Sequence, residues 1–313
     1  MNFILDVIIQ GLLYSVLAMG VALTFKVLKS ADLTVEGSFP LGAVVGAVSM
    51  TQGTPIPIAL LLAFLAGWVA GLITSWLHNH LKIQPLLSGI LTMSGLYTIN
   101  LMIAGNRSNL PLFQVNTLFT LPSWLSNTQT RTYHLIILSI LVLAVKLALD
   151  WFLKTNKGMM LTVAGDNPLL VVGLGENLGS YQSLGLSLSN GIIALSGSLV
   201  VMMTRFYDLS MGFGMLVVAL ASIVLGESLL KSTTLKMTSM VILGSILYRF
   251  SIATALALRL HPSSLRLMTV LLFIVALLFQ PSLLQSLMQS LKGGMHHVSA
   301  SKHSKIVSLK HTK

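Results

Sequence analysis

Apolar stretches of about twenty residues follow one another from Asn2 to near residue 281, separated only by short clusters of polar residues, Gly and Pro. A helix needs roughly that length to cross a hydrocarbon core of about 30 Å. Hydrophobic residues make up 54% of the 313 and charged residues 9%, against about a quarter charged in a soluble domain. Few residues are left over for a soluble unit, so the fold class is an all-α polytopic membrane protein. Breaking the chain at its polar, Gly and Pro clusters predicts about nine spans, near 3-25, 37-51, 57-77, 84-104, 133-153, 181-204, 212-230, 237-257 and 265-281. The first stretch lacks the basic start and small-residue cleavage site of a signal peptide and is expected to be retained.

The net charge of +11 is scattered between spans and concentrated in the tail 292-313, which points to anionic lipid headgroups rather than nucleic acid. With loop 154-180 placed inside, the inside segments carry Lys26, Lys29, Lys82, Lys154, Lys157, Lys231, Lys236 and the Lys of the tail. The opposite loops carry only Arg107, Arg131, Arg205, Arg259 and Arg266. The positive-inside rule then predicts the N-terminus outside and the C-terminus inside. With no Cys, disulfides, thiolate metal sites and catalytic thiols are excluded. The basic His/Lys-rich tail has no metal-ligand spacing. The outside segment 110-125, LPLFQVNTLFTLPSWL, is expected on the membrane surface or over the outer mouth.

Sliding the sequence on itself by 176 positions sets Asp32-Leu33-Thr34-Val35 on Asp208-Leu209-Ser210-Met211 and Lys29 on Arg205. Spans one to four fall on spans six to nine, with span five as the link. Five spans reverse the direction of travel, so the halves, about 1-104 and 181-285, are expected to be inverted repeats, which place transport pathways at their interface.

Asp32 and Glu36 stand out in ADLTVEGSFPLGA, residues 31-43, because carboxylates are expensive in lipid. Pro40 suits a first helical turn and Ser38 a cap, so the second helix is expected to begin there, with 31-39 partly unwound. Either this stretch belongs to a pathway or gate, or its acids are caps near Lys26 and Lys29. The candidate pathway group is Asp32, Thr34, Glu36 and Ser38, their counterparts Asp208 and Ser210, and Arg249, a charge inside an apolar span with no evident partner. Asp208 is alternatively an ion-pair partner of Arg205, and Glu227 of Lys231. Gly42 with Gly46, and Gly67 with Gly71, have the spacing of close helix packing. His78 and His80 read as interfacial polar residues. Residues 226-232, GESLLKS, lack the spacing of a phosphate loop, Gly173-Leu174-Gly175 lacks the dinucleotide fingerprint, and no HExxH or GxSxG occurs.

AGDNP at 164-168, LGEN at 174-177, LGLSLSNGIIALSGSLV at 184-200 and DLSMGFGMLVVALASIVLGE at 208-227, with ADLTVEGSFPLGA and LGSILYR at 243-249, resemble the permease subunits of ABC importers. The resemblance is to the branched-chain amino acid and ribose superfamily, nearest its tryptophan or unspecified-substrate group, over roughly residues 5 to 281. It implies a transmembrane permease domain over 1-291, with a cytoplasmic coupling loop at 154-180 that docks on a separate ATPase. Gly165, Asp166, Asn167, Pro168, Gly175, Glu176 and Asn177 match that element, with Glu176 in place of the usual small apolar residue. It further implies an extracytoplasmic binding protein and a second permease subunit, expected as a homodimer, in the bacterial inner membrane. ATP and Mg would be held by the ATPase, with no cofactor and no enzymatic activity in this chain. The expected cargo is an amino acid or related small organic solute. The alternatives are an ion-coupled secondary transporter, for which Asp32 is the best coupling carboxylate, and an intramembrane enzyme, for which no catalytic constellation appears.

Overall fold

The computed structural model describes residues 2–120, 130–230, 235–257 and 265–278. Its helices are α1 (Asn2–Ala22), α2 (Val35–Thr51), α3 (Ile56–Asn79), α4 (Pro85–Ile103), α5 (Thr130–Lys154), α6 (Asn156–Asp166), α7 (Pro168–Gly173), α8 (Leu178–Thr204), α9 (Met215–Leu230), α10 (Met237–Ala257) and α11 (Leu265–Leu278). Two three-residue strands, β1 (Asn109–Pro111) and β2 (Phe206–Asp208), pair antiparallel with Asn109 opposite Asp208.

Among the described residues, seven helical runs are long and apolar enough to cross a membrane, fewer than the nine spans expected. The exceptions are α2, at 17 residues, and α11, at 14. The shortness of α2 has a structural reason, since it starts inside the bundle rather than at its edge. Pro40 is not at its first turn, as the sequence suggested, but inside it. A proline there has no N–H for the carbonyl four residues back, that of Glu36. That carbonyl instead faces Gly212, whose missing Cβ leaves room for it and for the Pro40 ring.

The core is built around α8, which lies against α1, α2 and α3. Small residues allow this. A Cβ on Gly42 would collide with the Ala194 backbone, one on Gly46 with the Ser198 side chain, one on Gly67 with the Asn190 carbonyl, and one on Gly71 with the Leu186 carbonyl. Both Gly pairs therefore pack helices, as their spacing indicated, and both do so against the same partner. With no hydrophobic drive between helices in lipid, such close approach is the main source of adhesion. In turn α1 packs against α9 and α10 as well as α8, and α9 against α10 and α11. The loop after α4 inserts Leu112 and Phe119 into the core. Trp124 lies outside the described residues, as do Lys231, Arg259 and the tail.

Candidate functional site

Depth in the bundle can be read along α8, whose 27 residues extend about 40 Å at 1.5 Å each. Asn190, twelve residues from Leu178, is about 18 Å along it, near the middle. Asn190 bonds both to Asp32, in the turn before α2, and to Ser38, in the first turns of α2. The chain therefore folds back after α1 and begins α2 well inside the bundle. The other half does likewise. After α8 the chain reverses at Arg205, in the left-handed region at φ 56. It runs through β2 and a 3-10 turn, Leu209–Gly212, and starts α9 where Gly212 meets Glu36 and Pro40. Two helix N-termini thus meet near the bundle's mid-depth, α2 directed one way and α9 the other.

Asp32 anchors the first of them. Its side chain is 3% exposed. One oxygen accepts the Thr34 N–H at 2.8 Å and the other the Asn190 Nδ2 at 2.7 Å. Asn190 accepts in turn from the Ser38 hydroxyl at 2.7 Å. Thr34 shares a hydrogen bond at 2.8 Å with Thr74 of α3, and Thr74 donates to Thr92 of α4 at 3.0 Å. Asp32, Thr34 and Ser38 therefore form one polar seam crossing α2, α3, α4 and α8. Neither Lys26 nor Lys29 is the neighbour of these acids that the capping reading required. Lys26 pairs with Glu227 at 2.6 Å and Lys29 with Asp166 at 2.7 Å.

Glu36 faces the other way from Asp32. Its Oε1 accepts the Gly214 N–H at 3.0 Å, so its carboxylate straps the start of α9 to α2. Gly214 has φ 83, the left-handed region in which L side chains are strained. Glu36 and Pro40 line a cavity of about 260 Å³ with Tyr97, Asn100 and Phe213.

Asp208 caps the 3-10 turn, accepting the Ser210 N–H at 2.7 Å and the Ser210 hydroxyl. The Thr34 N–H is held by Asp32 in the same two-residue turn. Arg205 is not its ion-pair partner; the guanidinium donates to Thr120 Oγ1 at 3.1 Å instead. Asp208 and Ser210 line a cavity of about 500 Å³ that also holds Arg249. The guanidinium carbon of Arg249 lies 3.6 Å from the Tyr14 ring centroid. The seven sequence-nominated residues thus divide into three groups: Asp32, Thr34 and Ser38 in the seam, Glu36 at the meeting of the helix starts, and Asp208, Ser210 and Arg249 around one cavity.

At the end of the bundle beyond Asp32, loop 154-180 folds into two short helices, α6 and α7. Asn167 caps α7, accepting the Leu170 N–H, and Pro168 occupies its first turn. Asn177 caps α8 by accepting the Gly179 N–H at 3.0 Å. Gly175 has φ 79. A Cβ on Gly165 would strike the Val27 carbonyl, so α6 lies directly on the π-helical turn Leu23–Val27 that continues α1, tied also by Asp166 to Lys29. Glu176 accepts from the Tyr181 hydroxyl at 3.1 Å. Leu169 is 82% exposed, Leu174 61% and Val172 58%, so α7 and its following turn present an exposed apolar surface. His78 bonds the Ile83 carbonyl, in keeping with a local polar role.

Sequence reasoning missed Asn190, Tyr14, Asn100, Thr74 and Gly214. Asn190 and Tyr14 were findable, being 176 apart, the offset of the repeat, with each facing one of the repeat-related acids.

Residues 3–279 match the family described as the permease component of branched-chain amino acid transport systems. The tyrosine transport system permease protein of Clostridioides difficile is 41% identical over 278 residues, 88% of this chain and 91% of that one. An uncharacterized protein of Rickettsia prowazekii, RP368, is 31% identical over 88% of this chain and 97% of its own. The autoinducer 2 import system permease protein LsrC of Photorhabdus luminescens is 28% identical over 67% of this chain and 61% of its own. Among solved structures, PsaBC from Streptococcus pneumoniae in complex with Fab has a TM-score of 0.49 at 16% identity, covering 90% of this chain and 93% of that chain.

Proposed function

Because the chain belongs to the family of permease components of branched-chain amino acid transport systems, transport subunits of ABC transporters and not enzymes themselves, we propose that it carries an amino acid or related small organic solute across the bacterial inner membrane. The 41% identity with a tyrosine transport permease is the observation that carries the substrate class, and it makes an aromatic amino acid the first to test. ATP and Mg reside on a cytoplasmic ATPase that docks on loop 154-180, and an extracytoplasmic binding protein delivers the solute. A second copy of this chain completes the permease. The exposed Leu169, Val172 and Leu174 of α7 and its following turn support the ATPase contact, since an apolar patch at a polar boundary marks an interaction site.

In this reading the halves are inverted repeats with the N-terminus outside, and residues 28-34 and 208-214 are the broken stretches of each half. The equivalent two-residue turns capped by Asp32 and Asp208 and the equivalent left-handed residues Lys29 and Arg205 support it. Broken helices with N-termini near mid-depth are where membrane transporters bind anionic groups. An ion-coupled secondary mechanism has less support, because both oxygens of Asp32 are already engaged by the protein.

The test is uptake of labelled L-tyrosine and other amino acids by cells expressing the permease with its cognate ATPase and binding protein. Uptake abolished by inactivating the ATPase is expected. Uptake that persists and follows an ion gradient would overturn the assignment.

A further inference from the structure

Arg249 is the unexplained charge of this molecule. It lies twelve residues into the 21-residue α10, near the middle of an apolar helix, where ionisable groups are costly and mark function. Among the described residues no carboxylate and no hydrogen-bond acceptor engages it, and its Nε is buried without a partner. Its only close neighbours of note are the faces of Tyr14 at 3.6 Å and Tyr248 at 5.9 Å. Aromatic faces hold a guanidinium in position but leave its donors free. The donors border the cavity of about 500 Å³ that the first turn of α9 also lines through Met215 and Val218. The dipole of a helix start favours an anion, as the Glu36 carboxylate on the Gly214 N–H shows, and so does the guanidinium. Across the same cavity stand Asp208 and Ser210, and Phe213 supplies an aromatic wall. Ser210 fills Asp208 Oδ1, and Oδ2, which also takes the Asn109 amide at 2.7 Å, keeps one further acceptor position, because each oxygen accepts twice.

Resting on the transport reading above, we propose that this cavity is a solute-binding site in which Arg249 takes the α-carboxylate of a zwitterionic amino acid and the Asp208 side receives its ammonium. Its volume is within the range of small-molecule sites. The bidentate fork of Arg matches a carboxylate as Lys does not. A binding role therefore predicts that Arg249→Lys loses most of what Arg249→Gln loses.

The direct test uses the wild-type permease in nanodiscs, with arginine-selective phenylglyoxal modification of Arg249 followed by mass spectrometry. Millimolar L-tyrosine is expected to slow modification severalfold, and tyramine, which lacks the carboxylate, to leave it unchanged. Equal protection by both, by neither, or by phosphatidylglycerol in the disc in place of the amino acid would overturn the site. In cells, Arg249→Lys and Arg249→Gln are expected to cut uptake by about ten- to a hundredfold, the value of hydrogen bonds to a charged group. Co-purification of each variant with the ATPase verifies folding. Protection without ATP-dependent uptake would retain the site and remove the transport reading, whereas wild-type uptake without protection would remove the site alone.

Discussion

Replacing Asn190 with Leu should loosen the whole start of α2 while barely changing side-chain volume. Asn190 donates to the Asp32 carboxylate at 2.7 Å and to the Leu186 carbonyl at 3.0 Å, and accepts from the Ser38 hydroxyl at 2.7 Å. The Asn190, Asp32 and Ser38 side chains are all buried, which limits what water can replace. A buried neutral group left unpaired costs about 1 kcal/mol or more and a charged one about 2–3 kcal/mol, so Asn190→Leu should destabilise by about 3–4 kcal/mol. At a few degrees per kcal/mol, the half-unfolding temperature in detergent falls on the order of 10 °C. Asp32→Asn should be milder, because the Asn190 amide can flip to accept from Asn at position 32 and donate to the Ser38 oxygen, at the expense of its bond to the Leu186 carbonyl, a loss of about 1–2 kcal/mol. Asn190→Asp sets two carboxylates face to face and should be severe, and the swap Asp32→Asn with Asn190→Asp should recover part of the loss through their coupling. Thermal unfolding followed by intrinsic fluorescence reads all four. Equal stability of Asn190→Leu and wild type, or no recovery in the swap, would refute the claim that Asn190 joins α2 to α8.

Three further substitutions test other parts of the molecule. Gly42→Val places a branched side chain on the Ala194 backbone, and overpacking of this kind costs about 1–3 kcal/mol or more; loss of the monodisperse peak in size-exclusion chromatography is expected, and Gly53→Val, in open space, is the less damaging comparison despite its strained φ. Replacing Asp166-Asn167-Pro168 by Gly and Ser removes the cap and first turn of α7 and should abolish co-purification of the ATPase while membrane insertion persists; unchanged co-purification would count against the docking site. Glu36→Gln keeps an acceptor for the Gly214 N–H and should leave thermal stability within about 1 kcal/mol, yet cut uptake at least tenfold if the charge works in the cycle, so normal uptake would reduce Glu36 to a strap.

The helices were legible because lipid imposes one rule, an apolar run long enough to span, and that rule acts on composition alone. α2 was misread at its start because Pro40 signals a first turn locally. What makes it internal is tertiary, a Gly212 without a side chain that accommodates the released Glu36 carbonyl. Likewise Lys26 and Lys29 were near the acids in sequence but turn away to Glu227 and Asp166, partners 201 and 137 residues distant that no local rule can nominate. Asp208 was singled out as the repeat counterpart of Asp32, and Arg249 as a charge inside an apolar span. Their sharing of a cavity depends on α9 and α10 crossing α1, which periodicity does not encode.

These contacts also bear on how a docked ATPase could act on a site half a bilayer away. Gly165 of α6 touches the Val27 carbonyl and Asp166 holds Lys29, so α6 is joined to the π-helical turn that continues α1 by backbone contact as well as charge. The charge alone would be a weak lever, since both side chains are more than half exposed and such pairs contribute about 1 kcal/mol at most. The steric contact is stiffer, because displacing α6 toward α1 must move the Val27 carbonyl. Three residues beyond Lys29 comes Asp32, pinned to Asn190, and one turn later Glu36, pinned to Gly214 at the start of α9. A shift of α6 therefore has a continuous route through packed backbone and buried hydrogen bonds to both helix starts. Lys26 with Glu227 ties the far end of α9 to the same segment, so α9 is held at both ends by residues flanking 28-34. The stretch 26-36 is thus tied to α6, to α8 and to both ends of α9, with its two carboxylates, Asp32 and Glu36, engaged by the protein on opposite sides.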